Sequence, residues 1–134
     1  LIVDLGLEER VHWTRYLRPE QVSASLRATD VCVLPYRDGV SFRRGSLLAC
    51  LTHGRAIVTT RPTTPLAEVR DGKTMLLTEP RNPSAIARAV RRVASDAELQ
   101  AQLEAGARSL APQFEWDEIA RSTADLLARL IHEA

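Results

Sequence analysis

Apolar and polar positions fall into blocks along this chain, and the blocks change character as it proceeds. The opening LIVDLGLEERV reads as the tail of a helix already under way. It starts without Met, so the chain is expected to be a piece of something longer. From 11 to 17 (VHWTRYL) the alternation has a period of two, which predicts a strand. PEQVSASLRATD (19–30) predicts a helix with Pro19 near its start. VCVLP (31–35) and AIVTT (56–60) are continuous apolar runs, as expected of buried parallel strands, and TMLLT (74–78) predicts another strand. Between the first two, GSLLACLTHG (45–54) predicts a short helix stopped by Gly54. RPTTPLAEVRDG (61–72) reads as a Pro-rich connection ending in an Asp-Gly turn.

Beyond 80 the period becomes helical. Ile86, Val90 and Val93 mark one apolar face, and Leu99, Leu103 and Leu110 mark a second. Ile119, Leu126, Leu127, Leu130 and Ile131 mark a third, on a helix from about 117 to 132. Asn82 or Ser84 can cap the first of these helices and Asp96 the second. These faces predict core stripes and carry no chemistry. Strand–helix alternation predicts an α/β fold, a parallel sheet flanked by helices. In such sheets ligands bind where strands end and helices begin.

Composition narrows the function classes. The chain has 134 residues, 45% of them hydrophobic, which suits one domain with a real core. Eighteen Lys and Arg against 17 Asp and Glu give a net charge of +1, so non-specific nucleic-acid binding is not expected. No apolar run approaches a membrane span, and no leader segment is evident. Cys32 and Cys50 lie in apolar surroundings without CxxC spacing and are expected to be reduced core thiols. His12, His53 and His132 lack ligand spacing, and there is no Asp-x-Asp, so no metal site is expected.

The stretch YRDGVSFRRGS (36–46) is the most informative. A helix starting near Gly45 or Ser46 presents unpaired backbone N–H groups and about half a positive charge. Arg43 and Arg44 add donors suited to phosphate. Together they can cradle a diphosphate without a metal. On residue types alone, the two arginines can equally be solvated and paired with Asp38 or Glu68.

From Leu5 to Leu130 the sequence resembles the C-terminal half of a GT-B glycosyltransferase of the family-4 type. The resemblance runs through LGLEERVHWTRYL, ATDVCVLPY, GSLLACLTHGRAIVTT, PLAEVRDGKTMLLTEPRNPSAIARAV and FEWDEIA. It implies a partial Rossmann-like nucleotide-sugar-binding domain over 1–116, lacking its first strands, and a C-terminal helix over 117–134. It further implies that Arg43, Arg44, Gly45, Ser46 and Leu47 meet the donor diphosphate. Ser41, Phe42 and Ala49 would face sugar or ribose, and Arg15 and Tyr16 the base. The implied reaction is retaining, with a nucleotide-diphosphate sugar as donor and no other cofactor or metal. The positions that fall on Ser41 and Ala49 are commonly glutamates in the family, the glycine usual after the first strand is Arg15, and the family's Gly-Phe-Gly is Phe42, Arg43 and Arg44 here. The resemblance leaves the catalytic residues unnamed, and it implies that the helix over 117–132 crosses to the other domain, which would leave Leu127 and Ile131 partly exposed; packing on the parent domain is the other reading.

Members of the family carry an N-terminal acceptor domain and two further central strands, so this chain is expected to lack both. The strand at 11–16 is then expected not to pair with that at 31–35. Exposed sheet edges would favour a homodimer or a strand-swapped assembly. A cytoplasmic location is expected, with any contact to the inner membrane surface made by the absent domain. Two other readings stand beside transfer: a nucleotide-binding or scaffolding module that has lost its acids, and a sugar-nucleotide epimerase. The epimerase fits worse, because it needs carboxylates and a histidine at the sugar, and His53 lies at the wrong end of its helix.

Overall fold

A computed structural model describes residues 1–133, with the side chain of residue 133 left out. Its centre is a parallel sheet of three strands, β1 (Val31–Leu34), β2 (Ala56–Thr60) and β3 (Leu76–Thr78), in the order β1-β2-β3. Val33 pairs with Val58 in the first ladder and Thr59 with Leu77 in the second. Every residue of β2 is buried, as its unbroken apolar run predicts for a central parallel strand.

The described residues form five α-helices: α1 (Pro19–Arg27), α2 (Gly45–Thr52), α3 (Pro83–Ser95), α4 (Ala97–Leu110) and α5 (Trp116–Glu133). Each sheet face has its own core. On one, Leu47, Cys50 and Leu51 of α2 pack with Cys32, Ile57, Met75, Ala107 and Leu110. On the other, Ala89 and Val93 of α3 pack with Ala56, Val58, Leu76, Leu99 and Leu103. Helix α4 serves both cores and so fixes α2 and α3 relative to each other. Asn82 caps α3 by accepting from the Ala85 N–H at 3.0 Å, and Asp96 caps α4 by accepting from Leu99 at 2.9 Å.

Three expectations need correction. The segment 11–17 is not a strand. Val11 is extended, but Arg15 has φ 53°, which ends the run, and no ladder joins the segment to β1 or to any other strand among the described residues. A period of two orders side chains; it does not supply the neighbouring N–H and C=O groups that make a strand. The opening residues form two short 3-10 turns, Val3–Leu5 and Glu8–Arg10, separated by Gly6, in place of a helix tail. The stripe on α5 is not core: Ile119, Leu126, Leu127, Leu130 and Ile131 are exposed by between 39% and 74%, because α5 packs chiefly on the turn Ala111–Phe114.

Gly106 shows how closely α4 sits. A Cβ there would stand 2.0 Å from the Lys73 carbonyl oxygen. In an ordinary helix interior Gly→Ala stabilises by about 1 kcal/mol. Here the sign reverses: Gly106→Ala should cost at least about 2 kcal/mol, because backbone must move to admit the methyl. Thermal or urea unfolding of the variant reads this directly, and a raised midpoint would show that the packing is looser than described.

Candidate functional site

The site forms where β1 and β2 end. Thr59 and Thr60, each 1% exposed, point their hydroxyls at the departing β1 chain. The Thr59 hydroxyl donates to the Leu34 carbonyl at 2.8 Å and the Thr60 hydroxyl to the Tyr36 carbonyl at 2.7 Å. The Val40 N–H donates back to the Thr60 carbonyl at 3.1 Å, and the Thr63 hydroxyl to that of Asp38 at 2.7 Å. The loop after β1 is thereby stapled to the loop after β2. Gly39 makes the closest approach: it has φ 82°, and a Cβ would lie 2.3 Å from the Arg61 carbonyl oxygen.

These two loops form a hollow of about 480 Å³, lined by Asp38, Gly39, Val40, Ser41, Phe42, Arg43, Thr63, Thr64 and Leu66. Of the residues singled out by sequence, Ser41, Phe42 and Arg43 share it. Phe42 also packs against Phe114, ring centroids 4.6 Å apart, so this ring doubles as a wall and a core contact. A larger hollow, about 820 Å³, lies between Pro35 and Arg37 at the end of β1 and Arg81, Asn82, Pro83, Ile86 and Ala87 at the start of α3. It is lined by none of the donor-site residues that the sequence suggested.

Helix α2 begins beside the smaller hollow. Arg44 is its N-cap residue, no side chain caps it, and its first turn has no acid. Gly45 and Ser46 are exposed, and at the first two helical positions their N–H groups have no acceptor within the helix. Leu47 is different. Its side chain is fully buried and its N–H donates to the Arg44 carbonyl at 3.0 Å, so only its place in the first turn serves the site. Arg43 is exposed and makes no ion pair among the described residues. Arg44 does: its Nη2 lies 2.5 Å from both carboxylate oxygens of Asp38, and its guanidinium stands 4.6 Å from the Tyr36 ring centroid. The hydroxyls of Tyr36 and Ser46 share a hydrogen bond of 2.7 Å.

Ala49 is half-buried on α2, and its carbonyl accepts from His53 Nδ1 at 2.8 Å. His53 Nε2 shares a hydrogen bond of 2.8 Å with the Ser23 hydroxyl, which ties α1 to the end of α2. Arg15 and Tyr16 are exposed, and no hydrogen bond or ion pair joins them to the hollow among the described residues. Arg15 takes the left-handed backbone that a glycine favours, φ 53°. Little in the sequence pattern singles out the side chains of Tyr36, Thr60 and Thr63, because their importance comes from contacts across the strand ends.

Elsewhere, Cys32 and Cys50 are free, buried thiols. A hydrogen bond to Cys32, together with burial, pushes the Cys50 thiol up. Glu79 and Asp71, hydrogen-bonded to Arg61, raise that guanidinium above its usual value. Among the described residues no three His, Cys, Asp or Glu side chains group as a metal site would need, and no helix is long and apolar enough to cross a membrane.

A parallel sheet with helices on both faces, and a helix start without a side-chain cap at its strand ends, defines a Rossmann-like α/β unit. Residues 1–96 match the family Glycosyl transferases group 1, and the chain belongs to that family. It is 30% identical over 134 residues to D-inositol 3-phosphate glycosyltransferase of Streptomyces scabiei, covering 99% of this chain and 29% of that protein. Sucrose-phosphate synthase from Thermosynechococcus elongatus superposes with a TM-score of 0.80 at 21% identity, over 99% of this chain and 33% of that one. Anabaena HepE in complex with UDP-glucose gives 0.81 at 21% identity, over 96% and 35%. The chain thus spans about a third of the length of these relatives.

The threonine staple yields a prediction. Thr60→Val keeps the shape of the side chain and leaves the Tyr36 carbonyl without its partner. It should cost about 1–3 kcal/mol and speed amide exchange at Val40. Unchanged stability and unchanged exchange would show that the staple does not hold the loop.

Proposed function

We propose that this chain is the donor-binding part of a glycosyltransferase that moves a sugar from a nucleotide-diphosphate sugar to an acceptor. The observation that carries the reading is the start of α2. In a member of this family it has exposed N–H groups at Gly45 and Ser46, no acid of its own, and two arginines immediately before it. In the reaction, charge accumulates on the departing diphosphate. A helix N-terminus stabilises that charge with fixed dipoles that need no rearrangement. Arg43 and Arg44 add donors where the β-phosphate would lie. This arrangement supports a metal-independent reaction with no cofactor beyond the donor. Retention at the anomeric carbon is proposed from the family resemblance.

Within the site, Ser41 can hydrogen-bond a sugar hydroxyl, Phe42 supplies an apolar wall, and Ala49 offers ribose no polar group. Arg15 and Tyr16 are proposed to meet the base. Phosphate recognition therefore carries most of the donor affinity. The bound UDP-glucose of HepE supports a uridine diphosphate as the first probe. The acceptor is proposed to bind a domain outside this chain, with catalysis in the cleft between the two.

Two measurements test the reading on the intact protein. Replacing Arg43 and Arg44 together by alanine should weaken UDP binding by about tenfold or more in calorimetry, as expected for lost charge-assisted hydrogen bonds. Unchanged affinity would remove both from the site. A transfer assay with nucleotide sugars should show turnover. Binding without turnover or hydrolysis would favour a nucleotide-binding scaffold, and no response to any nucleoside diphosphate would reject the donor site.

A further inference from the structure

Arg44 belongs to the proposed donor site by position, yet its charge is already spoken for. Its Nη2 sits between the two carboxylate oxygens of Asp38 at 2.5 Å from each. Its guanidinium lies over the Tyr36 ring, 4.6 Å from the centroid. The same Tyr36 reaches the first turn of α2 through its hydroxyl, 2.7 Å from that of Ser46. One tyrosine thus supports the cation on its face and touches the helix start with its tip. The Arg44 side chain is 36% exposed and that of Asp38 is 73% exposed. An ion pair so open to water is weakly held. By contrast, the loop backbone under Asp38 is fixed, because Thr63 holds its carbonyl and Val40 is bonded to Thr60. The carboxylate is anchored at its base, while the arginine that it holds has solvent to move through.

We infer that Arg44 is a counter-ion switch and Asp38 the residue that sets donor affinity. A nucleoside diphosphate arriving at α2 draws the guanidinium off Asp38 and onto the phosphates, with the Tyr36 face carrying the cation in both positions. The inference rests on the donor-site reading above and adds to it a cost of exchange. A diphosphate must out-compete a carboxylate for Arg44, whereas Arg43 has no partner to leave among the described residues. A flexible arginine can do this because its planar donors suit carboxylate and phosphate alike. The exchange leaves Asp38 unpaired and hydrated at the rim of the hollow, at 73% side-chain exposure.

The test is a double-mutant cycle on the intact protein, with UDP as the probe and calorimetry as the readout. Asp38→Asn should bind UDP about three- to fivefold more tightly than the parent, the gain expected when a weak exposed pair no longer has to be broken. Arg44→Ala should bind more weakly. In the Arg44→Ala background, Asp38→Asn should give no gain. The Asp38 side chain makes its hydrogen bonds to Arg44 alone among the described residues, so the variant should fold; Asp38→Ser provides a second variant, its hydroxyl too short to hold the guanidinium. A gain that persists without Arg44 would reduce Asp38 to simple charge repulsion and overturn the switch. So would an Asp38→Asn variant that binds no better than the parent while the parent binds UDP. If no variant, parent included, binds UDP, the donor site fails and the switch falls with it.

Discussion

The arrangement depends on two buried threonine hydroxyls at the end of β2. A parallel strand must hand its chain to a loop at the point where the ladder stops, and the backbone groups there lose their partners. Thr59 and Thr60 restore them by bonding the carbonyls of Leu34 and Tyr36 as β1 leaves the sheet. Thr78 repeats the device one strand over by donating to the Thr59 carbonyl at 3.1 Å. Among the described residues, no buried side-chain polar atom is left without a partner. Polar groups in this core therefore set the direction of the exits while the apolar ones hold the layers together. The path from β1 to α2 is fixed by that exit, and with it the place where Gly45 and Ser46 present their N–H groups.

Helix α2 does two jobs with different parts of itself. Its side chains at Leu47, Cys50 and Leu51 are in the core, at no more than 3% exposure, which roots the helix. Its backbone dipole and first two N–H groups point the other way, to the loop. A helix of eight residues would be marginal alone, so its stability comes from that buried face. The first turn can consequently go without a side-chain cap or an acid of its own, and stay suited to an external anion. The carboxylate of Asp38 meets this helix start through Arg44, its N-cap residue.

The sequence made the core legible and the site only in outline. β1, β2 and the helices α2, α3 and α4 appear where continuous apolar runs and 3.6-residue periods put them, since burial of a fixed face governs both pattern and fold. The segment 11–17 has an equally regular pattern and forms no strand, because pairing is a property of two segments and the pattern of one cannot report it. The α5 stripe fails in the same way: an apolar face was readable, but what covers it was not. At the site, residue types exposed the anion-suited helix start. They left open whether the arginines pair with Asp38 or turn to a ligand, and the structure pairs one of them.

Arg15 shows how a family departure can keep its geometry. The resemblance places a glycine at this position, and a left-handed backbone is the usual reason for glycine after a strand. Arginine adopts that backbone here, φ 53°, at the cost of about 1–2 kcal/mol that any residue with a Cβ meets there. The left-handed turn is made here by a residue that carries a Cβ. What changes is the chemistry on offer: a long cation now stands, exposed, beside Tyr16, where a glycine would leave bare backbone. Position 44 follows the same logic in a second loop. There too an arginine stands where the family pattern has glycine, and its backbone is extended, φ −93° and ψ 107°, a conformation that costs arginine nothing. Arginine thus takes a left-handed backbone in one loop and an extended one in the other. Each places a long cation where a glycine would leave bare backbone.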